Sequence, residues 1–213
     1  MPISNPWHMA TVLHYARAVK PVRILDIGVG MGAYGFMLRQ FLDVINENVS
    51  KNTWEKCVEG IEIFEAYQNP VWDYVYDKVH MGDVRKILPT LASYDLVICA
   101  DVLEHFPIDE ARLLIQSILE KAPVLIATTP AGYYPQGAWG GNEAETHHCT
   151  LTASDFPYLI AHEKTVETAC YVCATSGEAI KRIKIAHLTC PKVKNSRLKL
   201  LAARLLVKFF GSK

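Results

Sequence analysis

The stretch Leu25-Asp26-Ile27-Gly28-Val29-Gly30-Met31-Gly32 decides the fold of this chain. Apolar residues before the glycines predict a buried strand, and Gly32–Ile45 has the apolar spacing of a helix. The alternating glycines remove every Cβ from the turn, so a ligand can lie directly on the backbone. The helix N-terminus adds N–H groups that have no partner within the helix. The stretch therefore predicts a cofactor loop, which taken alone serves NAD, FAD or S-adenosylmethionine equally well.

Apolar runs that alternate with amphipathic stretches predict an α/β fold. Four runs are short, rich in β-branched residues and typical of strands buried on both faces of a parallel sheet: Val22–Ile27, Cys57–Phe64, Tyr94–Ala100 and Pro123–Thr128. Helix signals lie between them at Val71–Tyr76 and Ile108–Lys121, and a further short strand ends just before Asp83. This βαβ series predicts a doubly wound, mostly parallel sheet.

The order of elements changes after the long loop at residues 130–150. Thr152–Ile160 has the pattern of a short helix, and two β-rich runs, Thr165–Thr175 and Ile180–Leu188, follow one another directly. Two consecutive strands near the end predict an antiparallel pair appended to the parallel sheet. With these two, the sheet has seven strands.

The composition predicts one soluble domain. The chain has 213 residues, of which 50% are hydrophobic and 21% charged, so the apolar material suffices for a single core. We assign residues 1–190 to this domain, with residues 1–20 as an N-terminal helix over the sheet or the cleft. No signal peptide or membrane-spanning run is recognisable, so we expect a cytoplasmic protein with free thiols.

The net charge of zero conceals an asymmetry between the body of the chain and its end. Residues 181–213 hold ten Lys and Arg and no acid, whereas residues 1–180 hold all 22 Asp and Glu. This arrangement argues against nucleic-acid binding and favours contact with an anionic surface. Residues 191–213 are predicted to form a basic amphipathic helix. Its segment 196–210 lies either at the inner face of a membrane or against the body or a second copy in a homodimer.

Two acids follow the glycine loop where a nucleotide-type cofactor needs them. Glu62 falls at the end of the second predicted strand, where a carboxylate can accept hydrogen bonds from both ribose hydroxyls. Asp83 falls at the end of the short third strand, close to the expected position of an adenine amino group. An interval of 30 residues separates Gly32 from Glu62, which an insertion around Asn46–Trp54 explains.

At this point the chain resembles the class I S-adenosylmethionine-dependent methyltransferases, in particular the branch of ubiquinone-type and small-molecule O-methyltransferases. The resemblance rests on the glycine loop, Glu62, the Gly82-Asp83 pair and, most specifically, Tyr94–Phe106 with its Asp-Val-Leu-Glu-His sequence. It implies a Rossmann-like methyltransferase fold with an antiparallel last strand and S-adenosylmethionine as cofactor.

The resemblance also implies which residues contact the cofactor: Gly28, Gly30, Gly32, Glu62, Asp83 and Val84. Asp26, within the same motif, is either a further contact or a buried anchor for the glycine turn. Asp101 ends the fourth strand, where open α/β sheets bind ligands, and is a candidate for both cofactor binding and catalysis. We expect Asp101 rather than His105 to touch ligand. Glu104 and His105 also have structural alternatives, Glu104 as a helix cap and His105 as a hydrogen-bonded histidine beneath the cleft.

The loop at residues 130–150 carries the candidate acceptor site. Its aromatic and polar side chains suit a polar ring, such as a sugar or a glycosylated metabolite. Methyl transfer needs a base, and His147 and His148 are the candidates because an imidazole titrates near neutrality. Alternatively, the loop is an ordered lid. As a third alternative, a divalent metal binds to Glu143, Glu145, His147 and His148, although we assign no metal from the sequence.

The sequence thus predicts methyl transfer from S-adenosylmethionine to an oxygen of a small polar or glycan acceptor. The alternatives are an NAD-dependent oxidoreductase and a non-catalytic cofactor-binding scaffold recruited by its basic tail. The oxidoreductase needs an acid about 20 residues past the glycines, and the nearest candidates, Asp43 and Glu47, lie on a predicted helix.

Overall fold

A computed structural model describes residues 6–189 of the protein, and these residues build one seven-stranded sheet. The strands are Arg23–Ile27 (β1), Cys57–Glu62 (β2), Lys78–Met81 (β3), Leu96–Ala100 (β4), Val124–Pro130 (β5), Leu159–Lys164 (β6) and Thr168–Ala174 (β7). The helices are Met9–Val19 (α1), Ala33–Leu38 (α2), Pro70–Val75 (α3), Val84–Ile87 (α4), Ile108–Lys121 (α5) and Gly177–Thr189 (α6).

The strand order β3-β2-β1-β4-β5-β7-β6 is that of a doubly wound sheet. The first five strands pair in parallel, and β7 runs antiparallel to both β5 and β6. The predicted fold class is therefore confirmed, including the antiparallel last strand. Strands β2 and β3 are added on one side of β1, and β4 and β5 on the other. The strand order therefore switches between β1 and β4, and the carboxyl ends of these two strands border a crevice.

The predicted elements after residue 150 were wrong in two places. The expected strand Ile180–Leu188 is part of α6, whose buried residues Ala179, Ile183 and Ala186 recur at helical rather than alternating spacing. The expected helix Thr152–Ile160 is a single 3₁₀ turn, followed by β6.

The position of the β6–β7 hairpin explains both errors. A turn at Thr165, whose hydroxyl accepts the N–H of Thr168, joins the two strands, so the pair ends at Ala174. The isoleucines of α6 suggested a strand because β-branched residues favour strands. In the fold, Ile183 is fully buried and Ile180 packs against the same core.

Two apolar layers cover the two faces of the sheet. Side chains of α1, α2, α3 and α6 pack on one face with alternate residues of the central strands, such as Ile24 of β1. Side chains of α4 and α5 pack on the other face with the intervening residues, such as Leu25. Helices on both faces explain why the central strands are mostly apolar.

Helix α1 lies over the sheet and beside α6. The Tyr15 hydroxyl is 2.7 Å from Nδ1 of His187, and the His8 ring contacts the Thr168 carbonyl oxygen at 3.1 Å. No helix within residues 6–189 is long and apolar enough to cross a membrane. The predicted basic helix, residues 191–213, lies outside the described part of the chain.

The long interval before Glu62 is an extra segment held by a buried arginine. Arg39 is 1% exposed and donates to Asp43 Oδ2 at 3.0 Å and to the carbonyl oxygen of Lys56 at 2.6 Å. Asp43 Oδ1 accepts the N–H groups of Glu55 and Lys56. These contacts hold the segment up to Lys56, and β2 begins at the next residue and ends at Glu62.

Candidate active site

The glycine loop after β1 adopts a conformation that favours glycine. Gly28, Gly30 and Gly32 have φ angles of +80°, +52° and +88°, which side chains of L-residues disfavour. A Cβ on Gly28 would also collide with Cγ2 of Val102. The indole N–H of Trp72 donates to the Gly30 carbonyl oxygen at 2.9 Å and fixes the loop from behind.

Glu62 reaches from the end of β2 into this loop. Its Oε2 accepts the N–H of Gly30 at 2.9 Å, and its Oε1 accepts the N–H groups of Ile63 and Phe64. Burial raises the pKa of this carboxyl, while the three N–H groups oppose the shift. Glu62 thus both shapes the loop and borders the cleft above it.

A cavity of about 320 Å³ lies over the loop, within the size range of small-molecule sites. Six of the eight predicted cofactor residues line it: Gly28, Gly30, Glu62, Asp83, Val84 and Asp101. Asp26 and Gly32 are not among the residues that line it. We call this cavity the cofactor cleft.

Asp83 caps the helix that borders the cofactor cleft. Its Oδ1 accepts the N–H of Arg85 at 2.9 Å, and its carboxylate pairs with the guanidinium group of Arg85. The hydrogen bonds from Arg85 lower the pKa of Asp83 and keep it ionised. A fixed carboxylate at the rim of the cleft can accept a hydrogen bond from a ligand amino group.

Asp26 lies behind the glycine loop. It is 1% exposed and accepts the hydroxyl of Tyr76, whose oxygen in turn accepts the N–H of Gly35 at 3.0 Å. Burial raises the pKa of Asp26 to about 7, which the Tyr76 hydrogen bond opposes. Of its two predicted roles, this placement corresponds to the buried anchor.

A second cavity of about 510 Å³ opens beside the cofactor cleft. We call it the acceptor cavity. Asp101 and His105 line both cavities. Asp101 has a φ of +55° and accepts the Thr128 hydroxyl of β5 at 3.0 Å, so the strand end holds it at the boundary.

The two predicted histidine bases lie on different sides of this boundary. His147 lines the acceptor cavity, and its Nδ1 contacts the Tyr134 carbonyl oxygen at 2.7 Å. Burial lowers the pKa of His147 and favours its neutral form. His148 instead lines the cofactor cleft. The structure therefore places only His147 of the pair on the acceptor side.

Glu104 and His105 are site residues that the sequence prediction underrated. Glu104 does not cap a helix: it is 1% exposed, and within residues 6–189 its Oε2 has no hydrogen-bond partner. Burial raises the pKa of Glu104 well above its usual range, and the charge of Asp101 adds to the shift. His105 borders both cavities, and its ring centroid is 4.9 Å from that of His147. The sequence feature that could have identified Glu104 and His105 is the Asp-Val-Leu-Glu-His sequence that follows β4.

Solved structures resemble this chain, although no family model and no curated protein matches it. The N-terminal domain of EvdMO1, determined in the presence of S-adenosylhomocysteine and D-fucose, has a TM-score of 0.53 and 15% identity. The alignment covers 81% of this chain and 85% of that domain. Magnesium protoporphyrin IX methyltransferase from Synechocystis, with bound S-adenosylmethionine, has a TM-score of 0.52 and 18% identity. The alignment covers 78% of this chain and 76% of the magnesium protoporphyrin IX methyltransferase.

TehB from Haemophilus influenzae has a TM-score of 0.56 and 10% identity over 81% of this chain and 64% of its own. The chain has the Rossmann-like methyltransferase fold. At these identities the likeness establishes the fold, and the chemistry must be argued from the residues of the site.

The loop after β5 of this methyltransferase fold joins the two cavities. Glu145 lines the cofactor cleft and accepts the Tyr67 hydroxyl at 3.0 Å, while Gln136 lines the acceptor cavity and donates to the Glu145 carbonyl oxygen. The backbone N–H of His148 donates to the Glu104 carbonyl oxygen at 2.8 Å. The loop is thus attached to the segment after β4, so it forms a fixed wall of the site.

The metal ligands suggested from the sequence do not form one group. His147 and His148 line different cavities, and Glu145 is engaged with Tyr67. A different set comes together: Glu104, His105 and His147 each offer a ligand atom within 4.8 Å of the others. Of the four predicted ligands, this set retains only His147.

Proposed function

We propose that this chain transfers a methyl group from S-adenosylmethionine to an oxygen of a small polar acceptor. The observation that carries the proposal is the common boundary of the two cavities, formed by Asp101 and His105. Methyl transfer needs donor and acceptor in contact, each in a site of its own. Two adjoining cavities with one shared wall provide that arrangement.

The cofactor cleft suits S-adenosylmethionine. The glycine loop allows close approach of a ligand to the backbone, Glu62 offers carboxylate oxygens for ribose hydroxyls, and Asp83 stands near the expected adenine amino group. The similar structures with bound S-adenosylmethionine or S-adenosylhomocysteine support this cofactor. The placing of the chain among ubiquinone-type and small-molecule O-methyltransferases belongs to the same proposal.

The acceptor cavity favours a polar ring. Tyr133 and Tyr134 offer aromatic faces, and Gln136, Glu167 and Thr168 offer hydrogen-bonding groups. This mixture is typical of sites for a sugar or a glycosylated small molecule. The D-fucose present with the EvdMO1 domain agrees with an acceptor of this class.

The residues at the boundary fit a displacement reaction. Bound S-adenosylmethionine supplies a sulfonium-linked methyl group that is open to attack by an oxygen lone pair. Asp101 and His105 position the acceptor hydroxyl at the mouth of the cofactor cleft. The hydroxyl proton leaves on the side of His147, which faces the acceptor cavity in its neutral form.

The alternatives have less support from the site. In an NAD-dependent oxidoreductase, Asp43 would hold the ribose, but here it is fully buried in an ion pair with Arg39, away from the cleft. A non-catalytic scaffold does not need a second cavity lined by two histidines beside the cofactor cleft.

Binding of S-adenosylhomocysteine to the purified chain tests the proposal. We expect one equivalent by calorimetry, and Gly30→Val should reduce the affinity at least tenfold because a side chain at φ +52° strains the loop and enters the cleft. Gly177→Val is the matched control, since a Cβ at Gly177 meets open space. Binding of NAD without binding of S-adenosylhomocysteine would contradict the proposal.

The acceptor class is tested with radiolabelled S-adenosylmethionine and panels of glycosides, phenols and amines. Label should appear in a methyl ether of one hydroxyl-bearing panel. Label that enters only the amines would contradict oxygen as the acceptor atom.

A further inference from the structure

We propose that Glu104, His105 and His147 hold one divalent metal ion at the boundary of the cofactor cleft and the acceptor cavity. There the ion activates the acceptor hydroxyl. The inference rests on the proposed function for its chemical role but on the three side chains for its location. Their ligand atoms lie within 4.8 Å of one another. Bonds of about 2.0–2.2 Å to one ion place ligand atoms roughly 3–4.4 Å apart, so small side-chain rotations complete the site.

The first argument is the orphaned oxygen of Glu104. This side chain is 1% exposed, and within the described residues its Oε2 has no hydrogen-bond partner. A buried polar atom without a partner costs free energy, so native folds nearly always satisfy such atoms. A cation between Glu104 and the two imidazoles would satisfy it.

The second argument is the orientation of both histidine rings. Nδ1 of His147 lies 2.7 Å from the Tyr134 carbonyl oxygen, and Nδ1 of His105 lies 3.3 Å from that of Thr146. A carbonyl oxygen can only accept, so each Nδ1 carries the proton and each Nε2 keeps its lone pair. Histidine ligands commonly show this arrangement, because the carbonyl bond fixes the ring and its tautomer.

The third argument is charge. The carboxylates of Asp101 and Glu167 line the acceptor cavity, and no Lys or Arg is among the described residues that line it. The cavity therefore attracts a cation. Two imidazole nitrogens with a carboxylate oxygen suit Mn²⁺, Fe²⁺, Co²⁺ or Zn²⁺ better than Mg²⁺ or Ca²⁺, which prefer oxygen ligands.

Two chain segments are fastened together to build the site. Glu104 and His105 belong to the 3₁₀ turn after β4, and His147 to the loop after β5. The N–H groups of His148 and Cys149 both donate to the Glu104 carbonyl oxygen. The three ligands are thus brought together by backbone contacts that do not depend on the ion.

The ion would ease loss of the hydroxyl proton. It polarises the acceptor oxygen, and the proton passes to water at the open side of the cavity. The oxygen lone pair then forms the bond to the methyl carbon, while the carbon–sulfur bond breaks and leaves its electrons on sulfur. His147 thereby acts as a metal ligand rather than as the base, because the ion would make the hydroxyl acidic enough for water to accept its proton.

Metal binding is measured on the full-length chain after treatment with EDTA and dialysis. Mn²⁺ is titrated and the free ion is followed by its paramagnetic resonance signal, and Zn²⁺ is tested by competition with a coloured chelator. We expect one equivalent of metal. Glu104→Gln and His147→Ala should each weaken binding at least tenfold, whereas His162→Ala, on an exposed part of β6, should leave it unchanged.

S-adenosylhomocysteine calorimetry on the same variants separates the two proposals. Both variants should keep cofactor affinity, which also shows that they fold. The metal inference fails if neither ion binds, or if Glu104→Gln binds metal like the parent chain. It also fails if the chelated enzyme transfers methyl groups at the full rate. Loss of cofactor binding by the parent chain would instead contradict the proposed function and leave the metal titration interpretable.

Discussion

Asp26 and Glu62 are carboxylates on neighbouring strands, and their surroundings give them different tasks. Glu62 faces the cofactor cleft and holds the glycine loop through three N–H groups. Asp26 is enclosed behind the loop with the Tyr76 hydroxyl. The sequence pattern predicted both as site residues because it locates the ends of strands. It could not predict that Tyr76, 50 residues further along the chain, donates a hydrogen bond to Asp26.

The surroundings of Asp26 predict a pH-dependent stability. Burial raises its folded-state pKa from 3.8 to about 7, so between these values the folded state binds more protons than the unfolded state. The free energy of unfolding therefore falls as pH rises from about 4 to about 7. Asp26→Asn removes this contribution. The difference in the free energy of unfolding, variant minus parent chain, should be more positive at pH 8 than at pH 5. Urea denaturation at the two pH values measures this difference.

The exposed carboxylate Asp109 provides the control for this prediction. Asp109→Asn should give a stability curve parallel to that of the parent chain, because its side chain is 87% exposed. If the difference between Asp26→Asn and the parent chain were the same at both pH values, Asp26 would titrate alike in the folded and unfolded states.

The Glu104–His105 pair shows what a motif cannot convey. The Asp-Val-Leu-Glu-His sequence carried the resemblance to methyltransferases, yet the partner of the pair is His147, beyond the next helix and strand. Proximity across such a distance depends on the sheet order and on the path of the loop. The sequence could therefore predict the residues of the cofactor cleft much better than the cluster at its boundary.

At the scale of elements, prediction succeeded where a strand is buried on both faces. The runs that became β1, β2, β4 and β5 are short, mostly apolar and rich in β-branched residues, so composition identifies them as strands. The edge strand β6 has a mixed pattern, and α6 contains β-branched residues on its buried side. Tertiary packing decided these two elements.

The extra segment between α2 and β2 depends on one buried ion pair. Arg39 and Asp43 are 1% and 0% exposed, and Arg39 also donates to Asp77 Oδ2 at 2.9 Å. Arg39→Met leaves two carboxylates without their partner, one of them fully buried. We expect it to lower the free energy of unfolding by about 3–5 kcal/mol, as removal of one member of a buried pair does. Chemical denaturation measures this loss.

Two further variants show whether the loss comes from the buried charge. Asp43→Asn combined with Arg39→Met should recover part of the stability, because the double variant has no buried charge at position 43. Glu178→Ala breaks the ion pair with Arg182 at the surface and should have a much smaller effect, since solvent screens this pair. A loss below about 1 kcal/mol in Arg39→Met would mean that water reaches Asp43.

At the scale of the molecule, the strand order assembles both cavities at one edge of the sheet. The carboxyl ends of β1, β2 and β4 supply the cofactor cleft. Because β7 is antiparallel, its amino end lies beside the carboxyl end of β5, where Pro130 pairs with Thr168. Both of these residues line the acceptor cavity. The reversed strand thus contributes a wall that a parallel strand would have placed at the opposite edge.

The charge distribution of the whole chain predicts salt-sensitive binding to anionic membranes. Residues 190–213 hold seven Lys and Arg and no acid, whereas all 22 Asp and Glu lie within residues 1–180. The end of the chain is therefore basic and the body acidic. If these basic residues face outward rather than pack on the body or a second copy, the full chain should co-sediment with phosphatidylserine vesicles at low salt and dissociate at 1 M salt. The Debye length falls from about 10 Å at 0.1 M to about 3 Å at 1 M. Phosphatidylcholine vesicles are the uncharged control.

Truncation after Asn195 decides whether this end of the chain makes the contact. A membrane contact predicts a truncated chain that no longer sediments with vesicles but keeps its melting temperature and its affinity for S-adenosylhomocysteine. If the apolar residues among 196–210 instead cover the body or a second copy, truncation exposes apolar surface, lowers the melting temperature and causes aggregation. Failure of the full chain to bind vesicles at low salt would exclude the membrane contact and leave the second arrangement.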